Sequence, residues 1–152
     1  MKTLLTLLLT FGTLLAAVPP KALLGSWQLE RRFELNGERH LERETLRFLP
    51  STFQLTLRVD IAKGDLRVEG LTIRADGLWK LQGETLVLVL EQIVFAGVES
   101  TRGIDEASFE SLTRQLRQRY LDDPIRILHL LHTDGKILTV ESPEEGERSY
   151  RR

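Results

Sequence analysis

The stretch LLGSWQLERRFEL, residues 23–35, begins the part of the chain in which apolar and polar residues alternate. Successive side chains of a β-strand point to opposite faces, so this pattern predicts a strand with one buried face. The apolar residues of that face are Trp27, Leu29, Phe33 and Leu35. The stretch ends at Asn36-Gly37, a pair typical of a tight hairpin turn. We therefore predict that a second antiparallel strand follows over about 40–49.

The same period of two recurs further along the chain. Residues 53–61 place polar side chains on one face and apolar side chains on the other. The apolar positions are Phe53, Leu55, Leu57, Val59 and Ile61. The phase of the alternation slips at Gly70, which indicates a β-bulge or a bend. Asp76-Gly77 predicts a further turn or kink before the next strand.

One segment, residues 99–122, has a helical period instead. Apolar residues recur there at spacings of three and four, as expected for one amphipathic helix over about 104–121. These residues are Phe109, Leu112, Leu116 and Tyr120. Asp105 is suited to cap the helix N-terminus, and Asp123-Pro124 prevents the helix from continuing. Whether the helix forms a lid over the rest of the domain stays open.

The opposite face of this helix carries three arginines: Arg114, Arg117 and Arg119. Such a face is usually solvated. The alternative is a contact with anionic lipid headgroups or with an acidic partner.

Eight or nine short antiparallel strands joined by tight turns predict a mainly β fold. We expect a small antiparallel up-and-down β-barrel with one inserted amphipathic helix, because closing the sheet removes its exposed edges. An outer-membrane barrel is the alternative, since alternation does not show whether the apolar face points inward or towards lipid. Aromatic residues make up only 7% of the chain and form no paired girdles, which favours a barrel in water.

The first 17 residues are a separate unit with a basic start, an apolar run and two prolines behind it. This pattern predicts a signal peptide, residues 1–17, with cleavage after about Ala17 and a barrel domain over 22–152. The apolar run is shorter than the roughly 20 residues of a membrane-spanning helix, although an uncleaved N-terminal anchor is the alternative. We expect a periplasmic or secreted protein that is not an integral membrane protein once the signal is removed.

Composition narrows the function classes. The chain has 152 residues, 28% of them charged, and a formal net charge of -1, which fits one globular domain without affinity for nucleic acid. It contains no cysteine, so neither a disulfide nor a thiol nucleophile is available. Stability must therefore come from burial and strand pairing.

The two ends of the domain carry a family resemblance. Gly25-Ser26-Trp27 in the first strand, together with the C-terminal arginines, resembles the calycin signature of lipocalins. The stretches ADGLWKLQGETLVLVL and DGKILTVESPEEGERSYRR extend the resemblance over most of 22–152, and it is closest to small bacterial lipocalin-like domains. It implies that Trp27 packs against a basic residue near the chain end and closes the barrel base. We take Gly25, Trp27 and Arg151 as this signature, with Arg148 and Arg152 as alternative arginines.

The resemblance also implies a function. We expect a non-catalytic protein without a cofactor that binds a small hydrophobic or amphipathic molecule, such as a lipid, inside its barrel. The expected wall residues are Leu29, Arg31, Phe33, Phe53, Leu55, Leu57, Val59, Ile73, Trp79 and Leu81. The alternative is a filled barrel that serves as an interaction module, an inhibitor or assembly accessory, for an envelope protein.

Arg31 is the unusual member of this wall, because an unpaired charge inside a barrel is costly. Either a buried acid or a ligand headgroup neutralises it, or a bulge at Arg31-Arg32 or a position at the barrel mouth exposes it. We favour the bulge or the mouth position, since buried arginines are rare.

Residues for metal or catalytic chemistry are sparse. His129 and His132 lie three apart on a predicted strand and so point to opposite faces, and His40 is the only other histidine. We therefore predict no metal site, because such a site needs three or four converging ligands. No nucleophile elbow or phosphate-binding loop is present, and we predict no enzyme. A catalytic site assembled from distant residues is the alternative.

Overall fold

A computed structural model describes residues 17–152, so all of the predicted signal peptide except Ala17 lies outside the described residues. A 3₁₀ turn, Pro20–Leu23, precedes the first strand. The strands are β1 (Gly25–Leu35), β2 (Glu38–Phe48), β3 (Thr52–Lys63), β4 (Leu66–Gln82), β5 (Thr85–Gly97), β6 (Ser100–Arg102), β7 (Ile125–Thr133), β8 (Ile137–Ser142) and β9 (Gly146–Arg151). The helix α1 spans Glu106–Leu121 between β6 and β7.

Eight of these strands form a closed antiparallel barrel. Their order is β3-β2-β1-β9-β8-β7-β5-β4, and pairing of β3 with β4 closes the ring. The short strand β6 pairs with residues 67–69 of β4, on the same edge as β5 and just beyond the last pair of β4 with β5. The predicted mainly β barrel with one inserted helix is therefore confirmed. β1 and β9 are aligned only at Gln28 and Arg151, so this seam of the barrel is short.

Two glycines shape the long strand β4. Gly70 has a φ of +65° and lies opposite the register shift in β3, where its N–H donates to Asp60 Oδ1 at 2.7 Å. The predicted bulge is thus confirmed. β4 runs through Asp76-Gly77 without a turn, and the irregularity there is a register shift against β5. Gly77 is required because a Cβ at this position would lie 1.9 Å from the carbonyl oxygen of Val89.

The helix begins and ends as its capping residues predict. Asp105 accepts a hydrogen bond from the backbone N–H of Ser108 at 2.8 Å, which satisfies one of the free donors of the first turn. The apolar face packs inward through the buried residues Leu116 and Tyr120. Phe109 meets Phe95 of β5 edge to face, with 6.1 Å between the ring centroids.

The barrel has two different ends. We call the end that contains Trp27 the base, and the end that contains the β1–β2 and β3–β4 turns the mouth. Large buried side chains fill the base. The rings of Phe48 and Trp79 meet there edge to face, with 5.0 Å between their centroids. The indole Nε1 of Trp79 donates to the carbonyl of Leu49 at 2.6 Å. Helix α1 lies at the mouth, where it contacts β5.

Candidate functional site

Trp27 closes the base of the barrel. Its indole is fully buried, and Nε1 donates to the carbonyl oxygen of Leu23 at 2.7 Å. The guanidinium of Arg152 lies 4.4 Å from the centre of the indole ring. Its Nη2 also donates to the carbonyl oxygens of Ala22 and Leu24 at 3.2 and 2.6 Å. The C-terminal arginine thus ties the 3₁₀ turn to the indole by a cation–π contact and two hydrogen bonds.

The packed arginine is Arg152, and the assignment of this role to Arg151 was wrong. Arg151 is exposed and lies opposite Gln28 of β1 and Ile137 of β8. Because side chains alternate along a strand, a shift of one residue moves a side chain to the other face. Gly25 adopts a φ of +108° beside Arg152, whose nearest guanidinium atoms would lie 3.8 Å from an added Cβ.

The ten predicted wall residues fall into two groups. Seven are buried in the packed core: Phe53, Leu55, Leu57, Val59, Ile73, Trp79 and Leu81. Leu29 and Arg31 are partly buried, and Phe33 is 39% exposed at the mouth. The barrel centre is therefore occupied by its own side chains.

Arg31 points into the barrel and meets a buried acid. Its Nη2 lies 2.7 Å from Oε2 of Glu42, whose side chain is 1% exposed. The register between β1 and β2 is unbroken around Arg31, so the bulge favoured at Arg31-Arg32 was wrong. Arg119 of helix α1 reaches the other oxygen of Glu42 at 3.1 Å. Two arginines from different elements thus neutralise one buried carboxylate and hold the helix over the mouth.

A second buried acid lies two residues further along β2. Glu44 accepts a hydrogen bond from the hydroxyl of Tyr150 at 2.7 Å. Arg148, which is 5% exposed, lies 4.0 Å from Glu44 and 2.7 Å from Glu145. This polar network was not predicted from the sequence. Its signal was the phase of β2, in which Glu42 and Glu44 alternate with the outward residues and share the face of Leu46 and Phe48.

Both tyrosines of the chain, Tyr120 and Tyr150, are buried in or beside this network. Burial raises the pKa of each phenol well above its ordinary value, because a tyrosinate loses its hydration inside the barrel. The negative charge of Glu44 raises both pKa values further. The folded protein therefore holds both phenolic protons more strongly than the unfolded chain does.

This difference predicts how stability changes at alkaline pH. A tyrosine in the unfolded chain has a pKa of about 10, and below that pH the two buried phenols contribute their full stabilisation. The contribution is lost as the pH rises towards the higher pKa values of these phenols in the folded protein. We expect tyrosinate absorbance to appear in the same step as loss of the β circular dichroism signal. The variant Tyr120→Phe should halve the absorbance change. Tyrosinate that forms near pH 10 in a protein with native circular dichroism would contradict the burial of these residues.

An open cleft of about 600 Å³ lies at the mouth. Inward-facing residues of four adjacent strands line it: Phe33, His40, Ile61 and Val68. The rings of Phe33 and His40 stack with 5.0 Å between their centroids, and His40 Nε2 lies 3.3 Å from Glu38. A second cleft of about 390 Å³ continues past Ile61 and Val68 to helix α1. We call the first of these spaces the mouth cleft.

The other predicted functional groups lie apart from the mouth cleft. His129 and His132 are exposed and face separate acids, Glu84 at 3.6 Å and Asp134 at 3.5 Å. No group of three or more histidine, aspartate or glutamate side chains within residues 17–152 is placed to hold a metal ion. On the helix, Arg114 and Arg117 are exposed, as expected for a solvated face.

Within the described part of the chain, no helix combines the length and the apolar character needed to cross a bilayer.

Comparison with known proteins gives matches among solved structures only. No family model and no curated protein matches the chain. A lipocalin-like protein from Bacteroides uniformis ATCC 8492 is 14% identical with a TM-score of 0.48, over 86% of this chain and 98% of that one. An uncharacterized protein from Bacteroides eggerthii DSM 20697 is 15% identical with a TM-score of 0.46, over the same shares. The chain folds as a closed eight-stranded antiparallel barrel, and its base contains the contact between a tryptophan of the first strand and a C-terminal arginine that the resemblance to lipocalins implies.

Proposed function

We propose that this chain is an exported, non-catalytic binding protein that holds a small hydrophobic or amphipathic molecule at the barrel mouth. The observation that carries this proposal is the mouth cleft of about 600 Å³, which lies within the size range of small-molecule sites. Its apolar wall comes from Phe33, Ile61 and Val68, which belong to three different strands.

The packing of the barrel centre supports the mouth as the binding place. Leu57 and Ile73 are fully buried at mid-barrel, and Trp27 is fully buried at the base. Protein cores are packed as densely as organic crystals, so a ligand at mid-barrel would have to displace these side chains. The mouth offers open volume without that displacement.

The charges around the mouth cleft indicate the kind of molecule that it fits. Three arginines and three carboxylates contribute to the lining: Arg32, Arg39, Arg67, Glu34, Asp60 and Glu69. These charges balance, so the rim favours no strongly charged ligand. A molecule with an apolar body and a neutral or zwitterionic polar end fits this rim best.

A hydrophobic dye tests the proposal. We expect N-phenyl-1-naphthylamine to bind with enhanced fluorescence, and Phe33→Ser to lower its affinity about tenfold by removing apolar contact area. Leu35→Ser is the matched control, since Leu35 is exposed in the same strand and phase but does not line the cleft. Affinity that is unchanged in Phe33→Ser, or reduced equally in Leu35→Ser, would refute the mouth cleft as the site. Recovery of the protein from a periplasmic fraction, with the N-terminal sequence starting near residue 18, would support export.

A second candidate function is the filled-barrel interaction module that binds an envelope protein. The observation that favours it is the same dense centre, in which seven predicted wall residues are core residues. Crosslinking in the envelope, followed by mass spectrometry, would identify such a partner. A hydrophobic ligand that co-purifies with the protein would favour the first candidate.

A further inference from the structure

Strand β7 has an open edge along its first residues. In the antiparallel ladder of β5 and β7, the N–H of Leu90 donates to Pro124 and the N–H of Leu130 donates to Glu84, both at 2.7 Å. The even-numbered residues of β7 therefore direct their backbone groups towards β5. Because these directions alternate along a strand, the N–H and C=O groups of Ile125 and Ile127 point the other way.

The neighbour on that other side, β8, ends too early to pair with them. The β7–β8 pair nearest to the start of β7 is His129 with Glu141, so Ile125 and Ile127 lie before the first paired residue of β7. β8 ends at Ser142, and the next residue is Pro143, which has no N–H to donate. No backbone hydrogen bond outside the strand ladders involves Ile125 or Ile127 within residues 17–152. The closed barrel thus presents a short row of free strand-pairing groups to solvent.

Apolar side chains flank this row. Ile125 and Ile127 are 54% and 60% exposed on the outer face of the barrel. An exposed strand edge with apolar side chains is a ready template for pairing with another chain, and proteins usually protect such edges with charges or prolines. Arg126 lies between them but points to the opposite face, where its guanidinium lies 4.6 Å from the ring centre of Tyr120. Pro124 precedes Ile125, but its backbone faces β5, so it does not block the free edge.

The space beside the edge carries more acidic than basic side chains, although Arg119 and Arg126 line the adjoining cleft. A cleft of about 710 Å³ lies between the unpaired edge of β7 and residues 141–146. Three carboxylates line it, from Asp123, Glu141 and Glu144, and the only basic side chain in its lining is His129. This charge is complementary to lysine or arginine side chains that alternate with apolar residues along an extended segment.

We propose that residues 125–128 accept an extended, basic segment of a protein partner as an additional β-strand. Backbone pairing with Ile125 and Ile127 supplies the affinity, and the three carboxylates select basic side chains. A second copy of this chain fits the site less well, since a two-fold pairing would bring two sets of the same carboxylates together. We call this surface the β7 edge. It shares no lining residue with the mouth cleft, so it does not depend on the ligand-binding proposal.

A heptapeptide of alternating lysine and valine, carrying a fluorescent label, is the probe. We expect saturable binding to the full domain by fluorescence anisotropy, and weaker binding of the same peptide with glutamate in place of lysine. Of two peptides N-methylated at alternate residues, one should lose binding, because only one set of N–H groups faces the β7 edge.

Variants locate the contact. Ile127→Lys should weaken peptide binding about tenfold, because it places a like charge at the edge. Leu78→Lys is the control, since Leu78 is 44% exposed on the same outer surface but its strand is paired on both sides, with Thr52 and Val89. Binding of N-phenyl-1-naphthylamine at the mouth should be the same in both variants if they are folded.

Four results would overturn the proposal. These are equal affinity for the glutamate peptide, full binding of both N-methylated peptides, equal losses in Ile127→Lys and Leu78→Lys, and dimerisation of the protein that Ile127→Lys abolishes. The third result would indicate a contact with the apolar outer face, and the fourth would indicate a second copy at the edge. Loss of the dye signal alone would refute the mouth cleft and leave the β7 edge unaffected.

Discussion

Replacing Trp27 by alanine is expected to lower the free energy of unfolding by about 3–5 kcal/mol, the range for removing a large aromatic side chain from a core. The indole is fully buried, so its removal leaves a cavity at the base of the barrel. It also removes the hydrogen bond to Leu23 and the surface on which Arg152 stacks. No other contact described at the base joins the 3₁₀ turn, the first strand and the chain end in this way.

Urea unfolding followed by circular dichroism measures this change, since tryptophan fluorescence would differ between the variants. Trp27→Phe should cost less, because a ring remains in the core and only part of the volume and the N–H donor are lost. Arg152→Met should cost about 1 kcal/mol, as expected for a cation–π contact at an exposed site and hydrogen bonds that water can replace. A small stability loss in Trp27→Ala, combined with weaker dye binding, would mean that Trp27 contacts ligand and is not a structural plug.

Local sequence patterns were sufficient to predict individual elements of the barrel. The alternation in 53–61, the slip at Gly70 and the cap at Asp105 each depend on residues close in sequence, and the structure contains the strand, the bulge and the helix start at these places. Period-two alternation also identified the buried face correctly in β3, because its inward positions are all apolar.

The polar interior could not be predicted in the same way. Glu42 meets Arg119, 77 residues away, and Glu44 meets Tyr150, 106 residues away. Such pairs arise from barrel closure and helix docking, which no local period encodes. Treating inward positions as apolar therefore favoured a bulge or a mouth position for Arg31, whereas the fold provides Glu42 directly across the β1–β2 ladder.

Strand lengths account for the remaining differences at the candidate site. β1 is aligned with β9 at one position only, so the mouth half of β1 has no second neighbour and Phe33 is partly exposed. β8 is shorter than β7, which leaves Ile125 and Ile127 unpaired on one side. Turn residues in the sequence locate the end of a strand only to within a few residues. The mouth cleft and the cleft beside β7 both form where strands end, so the sequence did not predict them.

Removing both arginines that neutralise Glu42 is expected to be as damaging as the loss of a large core side chain. In the double variant Arg31→Met and Arg119→Met, the carboxylate of Glu42, which is 1% exposed in the wild type, loses both of its cations. An uncompensated buried charge costs about 3–5 kcal/mol. We expect the lower end of this range, because both arginines are partly exposed and water can enter the space that they leave.

Adding Glu42→Leu to the double variant should restore most of the lost stability, because an apolar side chain of similar volume needs no cation. This rescue separates the electrostatic cost from the cost of lost arginine contacts. If the triple variant is as unstable as the double variant, the arginines stabilise the barrel by packing and not by neutralising Glu42. Urea unfolding of the four proteins, wild type included, gives the comparison.

The single variant Arg119→Met examines the helix separately. Arg119 is the residue of α1 that reaches Glu42, whereas Arg31 keeps the acid paired from β1. We therefore expect backbone amides of α1 to exchange faster with solvent deuterium, while those of β2 and β3 keep their protection. Arg117→Met is the matched control, because Arg117 is exposed on the same helix and makes no ion pair within the described residues. Equal exchange in the two variants would mean that the buried pair does not fasten the helix, and that its apolar face alone holds it over the mouth.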